Sequence, residues 1–172
     1  MVANDHEEVG SQSAEGARGS FLEGVLARVV AATDQPDAQA LPRAIARSLL
    51  VSADCAHAVH PNYADRHDTD HRPRLGHGPV IKVNANQAYA SDAGTIARFA
   101  ESCREAGATP QHFVSRADLP CGSTIGPLTA TRMGVPTVDV GAPILSMHSC
   151  REQADARDIE PMIAALRIHL QT

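Results

Sequence analysis

Leu49-Leu50-Val51-Ser52-Ala53-Asp54-Cys55-Ala56-His57-Ala58-Val59-His60 is an apolar run that turns, from Asp54 onward, into acidic, thiol and imidazole side chains. Its first half, roughly Leu49 to Asp54, reads as a buried strand, and its second half as the loop that leaves the strand's carboxyl end. Working outward, Val80-Ile81-Lys82-Val83, Phe113-Val114-Ser115 and Val135 to Val140 are further strand-type runs, the last closed by Gly141. Helical patterns separate them. From about Ala17 to Ala32, Phe21, Val25, Val29 and Val30 recur on one face. Leu41 to Leu49 reads as a short helix, and Asp34 to Ala40, with Pro36, as a polar turn before it. Between Ser91 and Ala106, Ile96, Phe99, Ala100 and Cys103 line one side, with Ser91 as N-cap and Gly107 as the stop. A helix of small residues ends near Met133-Gly134, and a last one from Ile159 to Leu170 turns Met162, Ala165, Leu166 and His169 inward. Alternation of this kind predicts an α/β protein, a β-sheet layered by helices.

The 172 residues fit one domain, and folding would bury about 70% of the unfolded chain's surface. A hydrophobic content of 43% and a charged content of 20% read as globular. A net charge of −5 without a Lys/Arg cluster argues against nucleic acid as a partner. The longest apolar stretches are short and broken by Arg, so no membrane span is expected. Met1–Asp5 carries neither the basic nor the apolar region of a secretory signal, and Cys55, Cys103, Cys121 and Cys150 lack CxxC spacing. Reduced thiols and a cytoplasmic location are the expectation. Tryptophan is absent and Phe plus Tyr total five, so Ala, Val, Ile and Leu must build the core.

Chemistry-bearing residues cluster at three strand-to-loop junctions: Asp5-His6-Glu7-Glu8, Asp54 to His60, and Met147-His148. Met1-Val2-Ala3-Asn4 reads as the end of a buried strand, so the chain looks as if it starts in the middle of a fold. Loops at strand ends converge on the crevice of an α/β sheet. Carboxylates and imidazoles are also the ligand types of catalytic zinc. Adjacent glutamates suit a division of labour in which one binds metal and its neighbour takes a proton from water. Each piece alone has a plainer reading: a Glu-Glu pair is usually solvated, a lone His usually lies on the surface, Lys82 could be a strand-edge solubiliser and Tyr89 a core filler. The long stretch from Ala56 to Gly78, dominated by Pro, Asn, Asp and His, is a loop of the kind kept for function. Cys121 could be a nucleophile, but no cation flanks it closely. Cys121-Gly122-Ser123-Thr124 reads better as a helix entry capped by Ser123 or Thr124.

Five blocks occur in one order: Asp5-His6-Glu7-Glu8-Val9-Gly10-Ser11, Ser52-Ala53-Asp54 with Ala56 to Asn62, Gly78 to Asn84, Pro120 to Pro127, and Met147-His148-Ser149. Together they resemble the C-terminal part of the aspartyl aminopeptidase family, cocatalytic two-zinc exopeptidases. The resemblance runs from about residue 1 to the last helix. It implies a zinc-exopeptidase-like fold, apparently truncated at the N-terminus, with residues 1–172 as one partial catalytic domain. It also implies a zinc metalloaminopeptidase that removes N-terminal, preferentially acidic residues from peptides, with two Zn2+ in a complete active site.

Carried over by position, the resemblance makes Glu7 the general base, Glu8 and His148 ligands of one zinc, and Asp54 a ligand of the other. His57, Lys82 and Tyr89 become substrate contacts. The chemistry agrees: a lysine complements an acidic first residue, and His and Tyr can donate to the oxyanion. The pattern calls for two more ligands, an upstream His and an Asp bridging both metals, which this sequence does not supply. The chain is therefore expected to be a C-terminal fragment of a longer, homo-oligomeric enzyme acting on peptides with acidic N-termini. The alternative is a non-catalytic relic or assembly subunit. A metal-storage role is disfavoured, because the ligands are few and sit among substrate-pocket residues.

Overall fold

The computed structural model describes residues 1–33 and 37–171, so part of the polar turn expected from Asp34 lies outside the described residues. Five strands and five α-helices follow in order: α1 Phe21–Ala31, α2 Ala40–Ala46, β1 Leu50–His57, β2 Val80–Val83, α3 Ala93–Glu105, β3 Gln111–Val114, α4 Gly126–Met133, β4 Thr137–Leu145, β5 Gln153–Ala154 and α5 Ile159–His169. Short 3-10 turns cover Glu7–Val9, Pro61–Arg66 and Ala156–Asp158. The sheet runs β1-β4-β2-β3, with β5 paired to β4. It is mixed: β1 lies parallel to β4 and β2 to β3, while β4 meets β2 and β5 antiparallel.

Alternation along the strands divides the sheet into two faces. Ile81, Val138 and Val140 point to one, where Phe99 and Cys103 of α3 and Met162 and Ala165 of α5 close the main core. α3 is entered through a capping box, Asp92 accepting from the Thr95 amide at 2.9 Å and Thr95 Oγ1 accepting from the Asp92 amide at 3.0 Å. The cap is thus Asp92 and not the expected Ser91, whose hydroxyl instead accepts the Asp139 amide at 2.9 Å. Gly107 ends the helix with φ +73°, as its position in the sequence suggested. The opposite face carries Ala56, Val80, Tyr89 and Phe113, and Cys121 packs against this smaller cluster.

Four other expectations need correction. β1 continues three residues past Asp54 and β4 runs through Gly141 to Leu145, because the two strands pair in unbroken register from Leu50↔Thr137 to His57↔Ile144. Asp54 therefore stands within a strand, opposite Gly141, where a Cβ would come within 2.0 Å of the Asp54 carbonyl oxygen. Met1-Val2-Ala3-Asn4 forms no strand: it pairs with no neighbour, and Met1 and Val2 are exposed. α1 buries no residue, and Phe21, Val25 and Val29 face outward at 62, 39 and 59% exposure. Its periodicity was legible but its partner was not, since α3, α5 and α4 supply the helical cover of the sheet and α1 packs mainly on α2. Finally, α4 begins at Gly126 without a side-chain cap, so Thr124 serves elsewhere.

Candidate active site

Asp54 projects from β1 onto the same face as Lys82 of β2, one strand having β4 between it and the other. Lys82 Nζ reaches Asp54 Oδ2 at 3.3 Å and the Cys55 carbonyl at 3.1 Å, and lies 5.2 Å from the centre of the Tyr89 ring. The lysine side chain is 2% exposed and that of Asp54 31%. Asp54 Oδ1 accepts the Cys55 amide at 2.6 Å. Tyr89 is buried, and burial drives its phenol far above the ordinary value, with Cys121, Asp139 and Asp54 adding to the effect.

Glu8 and His148 meet each other, Glu8 Oε2 standing 3.1 Å from His148 Nε2. Both are largely exposed. His148 is held in the left-handed region at φ +66°, an uncommon conformation for a side chain of its kind, and its amide donates to Glu152 Oε1 at 2.5 Å. Glu7 turns the other way: its Oε1 accepts the Thr124 hydroxyl at 2.7 Å, and Ser11 donates to Thr124 Oγ1 at 3.2 Å. Thr124 thus holds Glu7, where the sequence reading offers it as a helix cap. Its place in the Pro120–Pro127 block was the available signal; the contact across 117 residues was not.

Electrostatics tie these pairs into one region. Burial raises the Cys55 thiol, and Asp54, Glu152 and Glu8 push it further against the pull of Lys82. Burial lowers the His57 imidazole, helped by His67, Lys82 and His148 and opposed by Asp54. Asp139, opposite Ser52 in the β1–β4 register, is fully buried, and burial raises its carboxyl although the Ala90 amide donates to Oδ2 at 2.7 Å. Gly126 leaves room for it; a Cβ there would stand 2.2 Å from Asp139 Oδ1.

A pocket of about 440 Å³ opens beside His57, walled by Tyr63, His67, Phe113, Cys121 and Met147. His57 lies tilted against Phe113 at 5.8 Å between ring centres, and His67 meets it edge-on at 5.7 Å. Lys82 and Tyr89 do not line it. Cys121 Sγ accepts from Asn84 Nδ2 at 3.1 Å and packs among apolar neighbours, which is a structural role.

As zinc donors, the carboxylates and the imidazole are of the right chemical type. Their number is not: Glu8 and His148 make a pair, Asp54 is taken by Lys82, and among the described residues no three His, Cys, Asp or Glu side chains come together as a metal site. These residues alone do not fit a complete zinc centre, which needs at least three protein donors.

Residues 1–169 match the family described as aminopeptidase I zinc metalloprotease (M18). A probable M18 family aminopeptidase 2 of Pseudomonas paraeruginosa is 53% identical over 166 residues, covering 96% of this chain and 38% of the relative. The chain thus spans little more than a third of the length of such relatives. Among solved structures, one from a cryo-EM study of an Ape4 and Nbr1 complex superposes with TM-score 0.93 at 43% identity, over 98% of this chain and 32% of the other. A chain of the S. cerevisiae mApe1 dodecamer superposes with TM-score 0.86 at 31% identity, over 98% and 36%.

Proposed function

The chain belongs to the M18 family of aminopeptidase I zinc metalloproteases, and from that membership we propose that it carries part of the catalytic machinery of a zinc aminopeptidase that hydrolyses peptides at their N-terminal residue. The observation that supports this reading is the pairing of Glu8 with His148 and of Asp54 with Lys82, the latter beside Tyr89. Glu7 is the general base, aimed by Thr124 and free to accept a proton from the attacking water. Glu8 and His148 are donors to one zinc ion and Asp54 to a second. The remaining donors, a His and a bridging Asp, are not supplied by this sequence.

His57 and Tyr89 serve the oxyanion. Burial keeps the imidazole neutral near pH 7 and the phenol protonated, so each retains an N–H or O–H to donate. Lys82 complements the carboxylate of an acidic first residue, making peptides with N-terminal Asp or Glu the preferred substrates. Homo-oligomers are the proposed working form, as in the dodecameric relative. No helix of the described residues is long and apolar enough to cross a membrane, and a cytoplasmic location accords with four free cysteines.

A second reading, a non-catalytic relic or assembly subunit, is favoured by the shortage of metal donors. Zinc-dependent release of p-nitroaniline from aspartyl and leucyl p-nitroanilides separates the two. The catalytic reading expects release that favours the aspartyl substrate and falls at least about 100-fold in Glu7→Gln. No zinc-dependent release would support the second; zinc-dependent release unchanged in Glu7→Gln would keep the catalytic reading and remove Glu7 as its base.

A further inference from the structure

Tyr89 belongs to no helix or strand; it lies in the connection between β2 and α3 and depends on that connection being held. Before the tyrosine, Asn84 Oδ1 accepts the Asn86 amide at 2.8 Å and the Ala88 amide at 3.2 Å, and the Ala88 carbonyl accepts the Ser123 amide at 3.1 Å. After it, the Ala90 amide donates to Asp139 Oδ2 at 2.7 Å, and Ser91 Oγ accepts the Asp139 amide at 2.9 Å. One residue of β4, Asp139, thus makes both ties on the far side. It is fully buried, and its Oδ1 has no hydrogen-bond partner among the described residues. A buried carboxyl with an idle oxygen is destabilising where it stands, and an apolar side chain would suit the position better. An apolar side chain, however, could not receive the Ala90 amide.

We propose that Asp139 is a positioning residue for Tyr89: through the Ala90 amide it fastens the β2–α3 connection to the interior strand β4 and so sets where the tyrosine stands. The consequence for catalysis rests on the reading of Tyr89 as an oxyanion donor. The same support reaches the general base of that reading. Gly126 packs against Asp139 Oδ1, and Ser123, bonded to Ala88, precedes Thr124, whose hydroxyl holds Glu7. Base and oxyanion donor therefore share one brace. Because a single oxygen of Asp139 is used, the geometry asks for an acceptor and not for a charge, and Asp139→Asn keeps an acceptor.

The chain has no tryptophan and two tyrosines, Tyr63 exposed and Tyr89 buried. Tyrosine-selective 13C labelling therefore gives two sets of ring signals, told apart by Tyr63→Phe. Asp139→Ala is expected to move the Tyr89 signals while those of Tyr63 stay, and Asp139→Asn to keep them at their wild-type positions. Val138→Ala, which loosens the main core on the other face of the same strand, should leave them in place. In the same proteins, kcat on the aspartyl p-nitroanilide should fall about 10-fold in Asp139→Ala, with KM nearly unchanged, and recover in Asp139→Asn. If Asp139→Ala does not fold, hydrogen exchange of the wild-type Ala90 amide decides: exchange as slow as that of the β4 amides supports the tie, and fast exchange overturns it. Tyr89 signals unmoved in Asp139→Ala, displaced in Asp139→Asn, or displaced as much in Val138→Ala would also overturn the proposal, and zinc-dependent release by the wild type would still keep the aminopeptidase reading. A wild type without such release, but with the expected Tyr89 pattern, supports the positioning and removes that reading.

Discussion

Single side chains at this site depend on distant neighbours more than on their own sequence surroundings. Thr124 holds Glu7 from across the fold, its hydroxyl within reach of both the Glu7 carboxylate, at 2.7 Å, and the Glu7 carbonyl, at 2.9 Å. Thr124→Val keeps the shape and removes the donor, so it should lower kcat with little change in KM, by about 10-fold if aim is what Thr124 supplies. Steady-state kinetics on the aspartyl p-nitroanilide checks this, and a change confined to KM would contradict it. Gly126 makes the complementary point through sterics. A Cβ would strike the buried Asp139 carboxylate at 2.2 Å, so Gly126→Ala should destabilise by about 1–3 kcal/mol, measured as a shift in urea midpoint. The need for glycine was invisible in the sequence, because its cause is a side chain thirteen residues on that only the fold brings alongside.

At the level of elements, periodicity located helices and strands but could not say which neighbours they find. α3 and α5 behave as their patterns required: Phe99 and Cys103 on one and Met162 and Ala165 on the other meet over Ile81, Val138 and Val140. Phe99 is fully buried, and Phe99→Ala should cost about 3–5 kcal/mol in chemical denaturation. α1 has an apolar stripe as regular as theirs, yet Phe21 and Val29 are exposed. Phe21→Ser should therefore change the stability of this chain by no more than about 0.5 kcal/mol. A loss as large as that of Phe99→Ala would mean that α1 is covered in solution. The ends of β1 and β4 lie beyond the bounds expected from sequence for a related reason. Asp54 and Gly141 look like strand terminators locally, and only their mutual pairing keeps both inside the ladder. The blocks around Glu7, Asp54, Lys82 and His148 were legible as motifs. That Glu8 would lie beside His148 followed from the resemblance; that Asp54 would meet Lys82 two strands away did not, since contact across the sheet is a property of strand order and register.

For the whole molecule, imidazoles partly withdrawn from water shape the response to acid. Burial lowers the proton affinity of His57, His67, His112 and His169 below the ordinary value of 6.5, so below that pH the unfolded chain binds more protons than the folded one. Their contribution is intact above pH 6.5 and is lost progressively as the pH falls beneath it. Urea midpoints measured at about pH 7.5 and about pH 5.5 should show lower stability at the acidic value. The difference should shrink in a His57→Gln, His67→Gln double variant; an equal difference in both proteins would place the acid sensitivity elsewhere. The alternating pattern of strands and helices made the α/β architecture readable at this scale. The mixed direction of the sheet, with β4 antiparallel to β2, was not readable, because strand direction leaves no trace in apolar alternation.

In the function proposed above, Glu8 and His148 act together as donors to zinc. Equilibrium dialysis against zinc, comparing the wild type with Glu8→Ala and His148→Ala, bears on this without intermediary. The account expects each substitution to weaken zinc binding by at least about 10-fold, and the double variant to be little worse than either single one. Zinc held equally well by all four proteins would contradict it.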